Sequence, residues 1–370
     1  MLEDSDIQRI ARLTPLADVL ASFDLSIKPV APREEMLAKA TGLALAADVI
    51  AKSGHPASAL ALRDGFAVRS EETLDASSYA PAALATPPVR VDTGEPLPEG
   101  TDAVASIDAV QMRGAFAEAL SVVAPGEGVL LPDTDSAAGL KLRLGGAALR
   151  RIDVALLAAF GVERVMVRQP RVCVVCEGAG AIARSAAALI ASAIGAESGA
   201  AIIENVTLEA AVNDETIDAI VVIGGTGSGR NDNSVRTVAR IGKVAYHGIA
   251  ITPGETTAIA YAGSRPVLLL PGRVDAALAG WLTIGRRMLA RLAFRLIEEQ
   301  PFAAELARKI ASPLGLAEIV PVRRRLGRVE PVAAGYLPLR SLIKAEGWVL
   351  IPADSEGHPE GARVIVRPWP

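Results

Sequence analysis

"DAIVVIGGTGSGRNDNS", residues 218–234, decides the fold. The apolar run Ala219–Ile223 empties into glycines 224, 225, 227 and 229, and then come Arg230 and Asp232. A strand that is apolar at every position is buried on both faces, as in a parallel sheet covered by helices. Ligands of such sheets sit beyond the carboxyl ends of the strands. Glycines there let the backbone take positive φ and approach a ligand closely. The helix expected at "NSVRTVARIG" turns its first amides outward, which favours an anion. The stretch reads as a phosphate or pyrophosphate cradle, with a tight turn at a sheet edge as the alternative. It is not a Walker loop, because no Gly-Lys-[Ser/Thr] follows, and the G-x-G-x-x-G spacing is absent.

Working outward, strands and helices alternate from Glu163. "ERVMVRQPRVCVVCEG" carries two strand runs, and residues 181–197 read as an Ala-rich helix. "GAAIIEN" is a short strand, "TLEAAVND" a helix, "RPVLLLPG" a strand and "VDAALAGWLTIGRRMLARLAFRLIEE" one long helix. This predicts a mostly parallel sheet with helices on both faces. "CEGAG", "HGIAITPGETTA" and "LLLPGRVDAAL" add glycine or Pro-Gly punctuation at other strand ends, so several loops open on one rim as a pocket. Upstream, residues 6–22 and "REEMLAKATGLAL" read as helices, Ile50 to about Val129 as a small β region, and "RRIDVALLAAFG" as a helix stopped by Gly161. After Pro301, "AEIVPVRRRL", "GWVLIPA" and "ARVIVRPW" read as strands of a small β module.

At 370 residues the chain exceeds the roughly 250–300 that one core supports, so several domains are expected. Apolar residues make up 51% and aromatics only 4%, so the cores are built from Ala, Val, Leu and Ile. A net charge of −4 argues against a nucleic-acid surface. Cys173 and Cys176 have C-x-x-C spacing, but without a second ligand pair they read as core residues of a strand in a reducing cytoplasm. The acidic start has no secretory pattern, and no stretch reads as a membrane span.

Seven segments in order resemble the molybdopterin molybdenumtransferases, the MoeA family that includes the gephyrin E domain. They are "TGLALAADVIAKSGHPASALALRDGFAV" (41–68), "VDTGEPLPEGTDAV" (91–104), "LLAAFGVERVMVRQPRV" (156–172), "GGTGSGRND" (224–232), "HGIAITPG" (247–254), "LLLPGRVDAAL" (268–278) and residues 341–366. The glycine loop also resembles single-domain proteins of the MogA/MoaB type.

The resemblance implies a multi-domain α/β plus β chain that forms a homodimer. A lobe of residues 1–48 plus 136–167 would carry an inserted β lobe, 49–135. A MogA/MoaB-like α/β domain, 168–303, would bind molybdopterin, and 304–370 would be the C-terminal β domain. The implied chemistry is insertion of molybdate into adenylylated molybdopterin, with AMP released and Mg²⁺ assisting. A molybdoenzyme and a MogA-type adenylyltransferase are the implied partners.

By the same resemblance Asp64, Thr93, Asp135 and Asp232 are the catalytic candidates, with Asp232 and Asp64 offered to Mg²⁺, a hard ion suited to carboxylates and phosphate. Gly224, Gly225, Thr226, Gly227, Ser228, Gly229, Arg230, Glu177, Pro271, Gly272 and Arg273 are the binding candidates. The chain departs from the family pattern in several places. Thr-Gly-Asp-Glu is replaced by Glu177-Gly178-Ala179-Gly180. Lys-Pro-Gly-Lys becomes Thr252-Pro253-Gly254-Glu255, and Pro-Gly-Asn-Pro becomes Pro271-Gly272-Arg273-Val274. An expected arginine appears as Leu130 or Leu131. Arg273, Arg230 and Glu177 are the candidate replacements. Three readings stand at this point: a transferase with a rearranged site, a molybdopterin carrier, and a scaffold without ligand.

Overall fold

The computed structural model describes residues 8–370 apart from 115, 179, 198, 204–205 and 297–299. The chain divides into two units. One holds the residues up to Ala47, Gly145–Val154 and Glu163–Pro370; the other holds Asp48–Leu144 and Ala155–Val162.

The centre of the first unit is a six-stranded sheet. Its strands are β1 (Arg171–Cys176), β2 (Ala200–Ile203), β3 (Ala219–Ile223), β4 (Lys243–His247), β5 (Ala258–Ala262) and β6 (Arg265–Leu270), in spatial order β2-β1-β3-β6-β5-β4. β2, β1, β3 and β6 run parallel. β5 alone runs against them, pairing antiparallel with both β6 and β4, and neither β5 nor β4 was separable from its loops in the sequence. β5 and β6 are joined through Gly263 at φ 62, a hairpin too short for a helical crossover.

Period-two alternation gives the central strands β1, β3 and β6 two buried faces. Val172, Val174, Val221, Ile223, Leu268 and Leu270 pack with Ile190 and Ile194 of helix α2 (Ala181–Ala196) and with Val19 and Phe23 of helix α1 (Leu16–Ser26). Cys173, Val175, Ile220 and Val222 face Leu208 of α3 (Leu208–Asn213) and Val235 and Val238 of α4 (Ser234–Ile241). Each such side chain contributes about 1.5–3 kcal/mol on burial, which is why no polar residue interrupts β3. Helix α5 (Val274–Gly280) continues through a π turn, Trp281–Gly285, into α6 (Arg286–Ala293). The predicted long helix ends at Phe294 in the left-handed region, and its last residues, 297–299, lie outside those described.

Three expectations are corrected. The first helix begins at Leu16, not residue 6. Pro15 disfavours helix before itself, and Thr14 is extended, its amide donating to Gly248 O at 2.9 Å. Residues 6–7 are outside those described. "REEMLAKATGLAL" is not a helix: Arg33–Met36 is a strand paired with Arg164–Arg168, followed by one 3₁₀ turn and the strand Ala44–Leu45. Strand pairing across the chain overrides its helical spacing. Cys173 is buried as expected, but Cys176, the last residue of β1, is exposed.

The C-terminal part forms a sheet from β7 (Ala317–Arg325), β8 (Arg328–Pro331), β9 (Gly347–Ile351) and β10 (Arg363–Pro368), with Phe302–Glu305 at one edge and Ile251–Thr252 at the other. Val320, Val322, Val349, Ile351, Val364 and Val366 fill its core, and helix α7 (Leu339–Lys344) lies between β8 and β9 in sequence. The second unit is built of short antiparallel strands, among them Gly65–Val68 between Val89–Val91 and Ala103–Ser106. Its cores are small residues such as Ala67, Ala103, Val104 and Ala105.

Candidate functional site

The carboxyl ends of β1, β3 and β6 meet at one rim. The amides of Glu177 and Gly178 donate to Ile223 O at 3.0 and 3.1 Å, and Gly224 N–H donates to Leu270 O at 2.8 Å. Gly224 has φ 97, and a Cβ there would lie 2.8 Å from Gly178 N. A Cβ on Gly272 would lie 3.4 Å from Gly224 Cα. The three loops therefore touch backbone to backbone. Glu177 is exposed beside them.

The glycine loop has two halves with different jobs. Its inner half is packing. A Cβ on Gly225, at φ 72, would lie 2.1 Å from Ser234 Oγ. That hydroxyl donates to Gly224 O at 2.9 Å, and Thr226 is buried, its hydroxyl 2.9 Å from that of Thr256. The outer half, Ser228, Gly229 and Arg230, is exposed. At Gly224 and Gly225 protein atoms occupy the space a side chain would need, so packing by itself requires glycine at these two positions.

Asp232 belongs to the outer half. Its Oδ2 accepts from Gly229 N–H at 2.9 Å, and a Cβ on Gly227 or Gly229 would meet the same oxygen at 2.8 or 2.9 Å. A carboxylate therefore occupies part of the ground that the loop's amides would offer an anion. The sequence offered no signal for Gln8, which braces the loop from below. Its Nε2 donates to Gly225 O and Gly227 O, both at 2.9 Å, and its Oε1 accepts from Arg236 N at 3.0 Å. His247 Nε2 also lies 3.0 Å from Thr226 O.

Through Thr256 the rim adjoins a cavity of about 370 Å³ whose lining includes Thr252, Glu255, Pro271, Arg273, Asp275 and Tyr336. Arg273 is held in place rather than reaching outward. It forks onto Asp275 at 3.1 and 2.6 Å and stacks 4.7 Å from the Tyr336 ring centroid. Asp275 is 3% exposed; its bonds raise the already high pKa of the guanidinium. Tyr336 was not anticipated from the sequence.

Asp64, Thr93 and Asp135 lie in the other unit. Asp64 Oδ1 accepts from Thr93 N at 2.8 Å and from Thr93 Oγ1 at 2.9 Å. These bonds, the amide's first, hold the Asp64 carboxyl below its ordinary pKa of 3.8. Asp135 sits in a turn, its amide donating to His55 O at 3.0 Å. Among the described residues no group of three or more His, Cys, Asp or Glu side chains is arranged to hold a metal ion.

The Asp64–Thr93 pair has a measurable consequence. A carboxyl with a depressed folded pKa contributes stability above its unfolded value of 3.8, and that contribution is lost as pH falls below it. Thr93→Val removes the hydroxyl but keeps the amide, the larger cause. The Asp64 pKa is expected to rise toward 3.8 and stop short of it, read by NMR titration of the carboxyl carbon. No rise would show that the amide alone sets the charge.

The rim, the adjoining cavity and the C-terminal sheet define a multi-domain α/β plus β protein whose sheet brings three strand ends to one rim. Three family models match it in order. They are the MoeA N-terminal region (domain I and II) at residues 11–161, the "Probable molybdopterin binding domain" at 179–291, and the MoeA C-terminal region (domain IV) at 303–369. The chain belongs to the MoeA family. It is 26% identical to molybdopterin molybdenumtransferase 2 of Mycobacterium tuberculosis, over 86% of this chain and 90% of that one. It is 25% identical to the molybdopterin molybdenumtransferase of Bacillus subtilis, over 87% and 86%. The crystal structure of the molybdopterin biosynthesis protein MoeA from Pyrococcus horikoshii superposes with a TM-score of 0.78 at 27% identity, covering 97% of this chain and all of that one.

Proposed function

We propose that the chain is a molybdopterin molybdenumtransferase of molybdenum cofactor biosynthesis, inserting molybdate into adenylylated molybdopterin with release of AMP. One observation carries this reading. Gly178, Gly224 and Gly272 bring three strand ends to one rim, Gly224 and Gly272 inside the stretch matched by the molybdopterin-binding model and Gly178 just before it. Beside that rim, Ser228, Gly229 and Arg230 stay open to a ligand.

In this reading the backbone contacts form the floor of the pterin site, and Arg230 offers its guanidinium to phosphate. Arg273, braced by Asp275 and Tyr336, presents a fixed face to the cavity. The described lining of that cavity carries two carboxylates, Glu255 and Asp275, against one guanidinium. An anionic ligand therefore enters best with its own counter-cation. Asp232, on the glycine loop rather than in the lining of that cavity, is the single hard-oxygen ligand assigned to this cation, because Mg²⁺ usually keeps its waters and binds through one or two carboxylates plus substrate phosphate. When bound, Mg²⁺ would neutralise phosphate charge. Asp64, held ionised by Thr93, is a second candidate ligand in its own unit.

The assay is AMP release from adenylylated molybdopterin, with and without molybdate, in Mg²⁺ buffer. Molybdate-dependent AMP is expected. Its absence, together with calorimetric binding of molybdopterin, would make the chain a carrier. The same reading takes the protein as a cytoplasmic homodimer that receives its ligand from a MogA-type adenylyltransferase and serves a molybdoenzyme. It also takes the four parts as 1–48 plus 136–167, 49–135, 168–303 and 304–370. No helix among the described residues is long and apolar enough to cross a membrane.

A further inference from the structure

The C-terminal sheet carries a second concave site. Residues two apart on a strand share a face, so Arg323 and Arg325 of β7 stand side by side. The β7–β8 register sets Glu330 opposite Arg323. Glu330 is 3% exposed and accepts from both arginines, from Arg323 Nε at 2.6 Å and from Arg325 Nη1 at 2.9 Å. These bonds, that of Arg325 first, keep its carboxyl below the ordinary glutamate value. One buried carboxylate thus fixes two guanidinium groups that remain about half exposed, at 44% and 59%. Arg308 Nη2 is pinned to Pro331 O at 2.6 Å.

Helix α7 adds Arg340 and Lys344, four residues apart and therefore on one helix face. All five cations line one cavity of about 360 Å³, in which Glu330 is the one carboxylate among the described lining residues. The lining is left with a net of four positive charges in a chain whose formal charge is −4. Like charges at such spacings repel, and a bare surface gains nothing from gathering them.

We propose that this cavity binds a small ligand carrying two linked phosphoryl groups. The cations come as two pairs on two elements, Arg323 with Arg325 and Arg340 with Lys344, and each pair suits one phosphoryl group. Guanidinium forks fit phosphate oxygens bidentately, and the Glu330 and Pro331 contacts orient them before any ligand arrives. A diphosphate carries three to four negative charges, about the excess the lining presents. A cavity of this volume takes a small molecule in preference to an extended acidic peptide.

Calorimetric titration of the full chain with sodium pyrophosphate, orthophosphate and ADP in Mg²⁺-free buffer tests the proposal. Pyrophosphate is expected to bind at least about tenfold more tightly than orthophosphate. Arg340→Ala/Lys344→Ala, both exposed positions, is expected to weaken pyrophosphate by roughly tenfold or more while the thermal melt stays in place. Arg273→Ala, in the other cavity, is expected to leave it unchanged. ADP binding as tightly as pyrophosphate would identify a nucleotide's diphosphate as the source, and weaker ADP binding a free diphosphate. Four outcomes overturn the proposal: no heat with pyrophosphate, equal affinity in the double variant, loss in Arg273→Ala, or displacement of pyrophosphate by a short polyglutamate peptide at lower concentration.

Discussion

Gly225→Val is expected to destabilise the fold itself, by roughly 3–5 kcal/mol, and not merely to block a ligand. Two causes act together. Gly225 has φ 72, where a β-branched residue is a true outlier, costing about 1–2 kcal/mol or more. Its Cβ would also fall 2.1 Å from Ser234 Oγ, so Ser234 must move and give up its bond to Gly224 O. Forced overpacking of that kind costs about 1–3 kcal/mol, and the lost bond about 1 kcal/mol more. Against a total stability of about 5–15 kcal/mol that is a large share. Urea denaturation followed by the fluorescence of buried Trp281 would show it as an earlier midpoint. An unchanged midpoint with ligand binding abolished would return Gly225 to the ligand and remove the packing explanation.

The same residue shows where the sequence was legible and where it was not. The fully apolar run Ala219–Ile223 announced a strand buried on both faces, and β3 is one, with a core on each side. The glycines after it announced a special backbone, which Gly224 and Gly225 have. What approaches that backbone was not legible, because Gly178 and Gly272 come from other segments of the chain and Ser234, though in the same segment, meets Gly225 only once the loop has folded back. Gln8 was invisible for the same reason: a glutamine 217 positions from the carbonyl it meets leaves no local pattern. "REEMLAKATGLAL" misled because helical spacing is a local property, and the strand Arg33–Met36 is made by its partner Arg164–Arg168. The lysines expected near Pro253 are replaced by Thr252 and Glu255, and the structure shows a guanidinium beside them, Arg273, whose charge is shared with Asp275. That pairing depends on α5 starting at Val274 so that Asp275 folds back over its first turn.

Asp232→Asn is expected to slow AMP release on the order of 10²-fold while leaving the melting temperature in place. The substitution separates two roles that the structure superimposes on one side chain. As a brace, Asp232 needs only an oxygen to accept from Gly229 N–H at 2.9 Å, and an asparagine Oδ1 supplies it. As a ligand for a hard cation it needs the negative charge, which asparagine lacks. If the charge matters, the loss is partly recovered at higher Mg²⁺, because occupancy rather than geometry has been weakened. Asp232→Ala removes both roles, so raising Mg²⁺ should not rescue it. The opposite sign is also physically available. A carboxylate above the Gly227–Gly229 backbone repels any anion that the loop amides hold without a cation. In that case the neutral variant would bind phosphorylated pterin more tightly than the parent does. Calorimetry on Asp232→Asn, with and without Mg²⁺, therefore decides between a cation ligand and an anion gate. Tighter binding in both buffers would end the Mg²⁺ assignment at this residue.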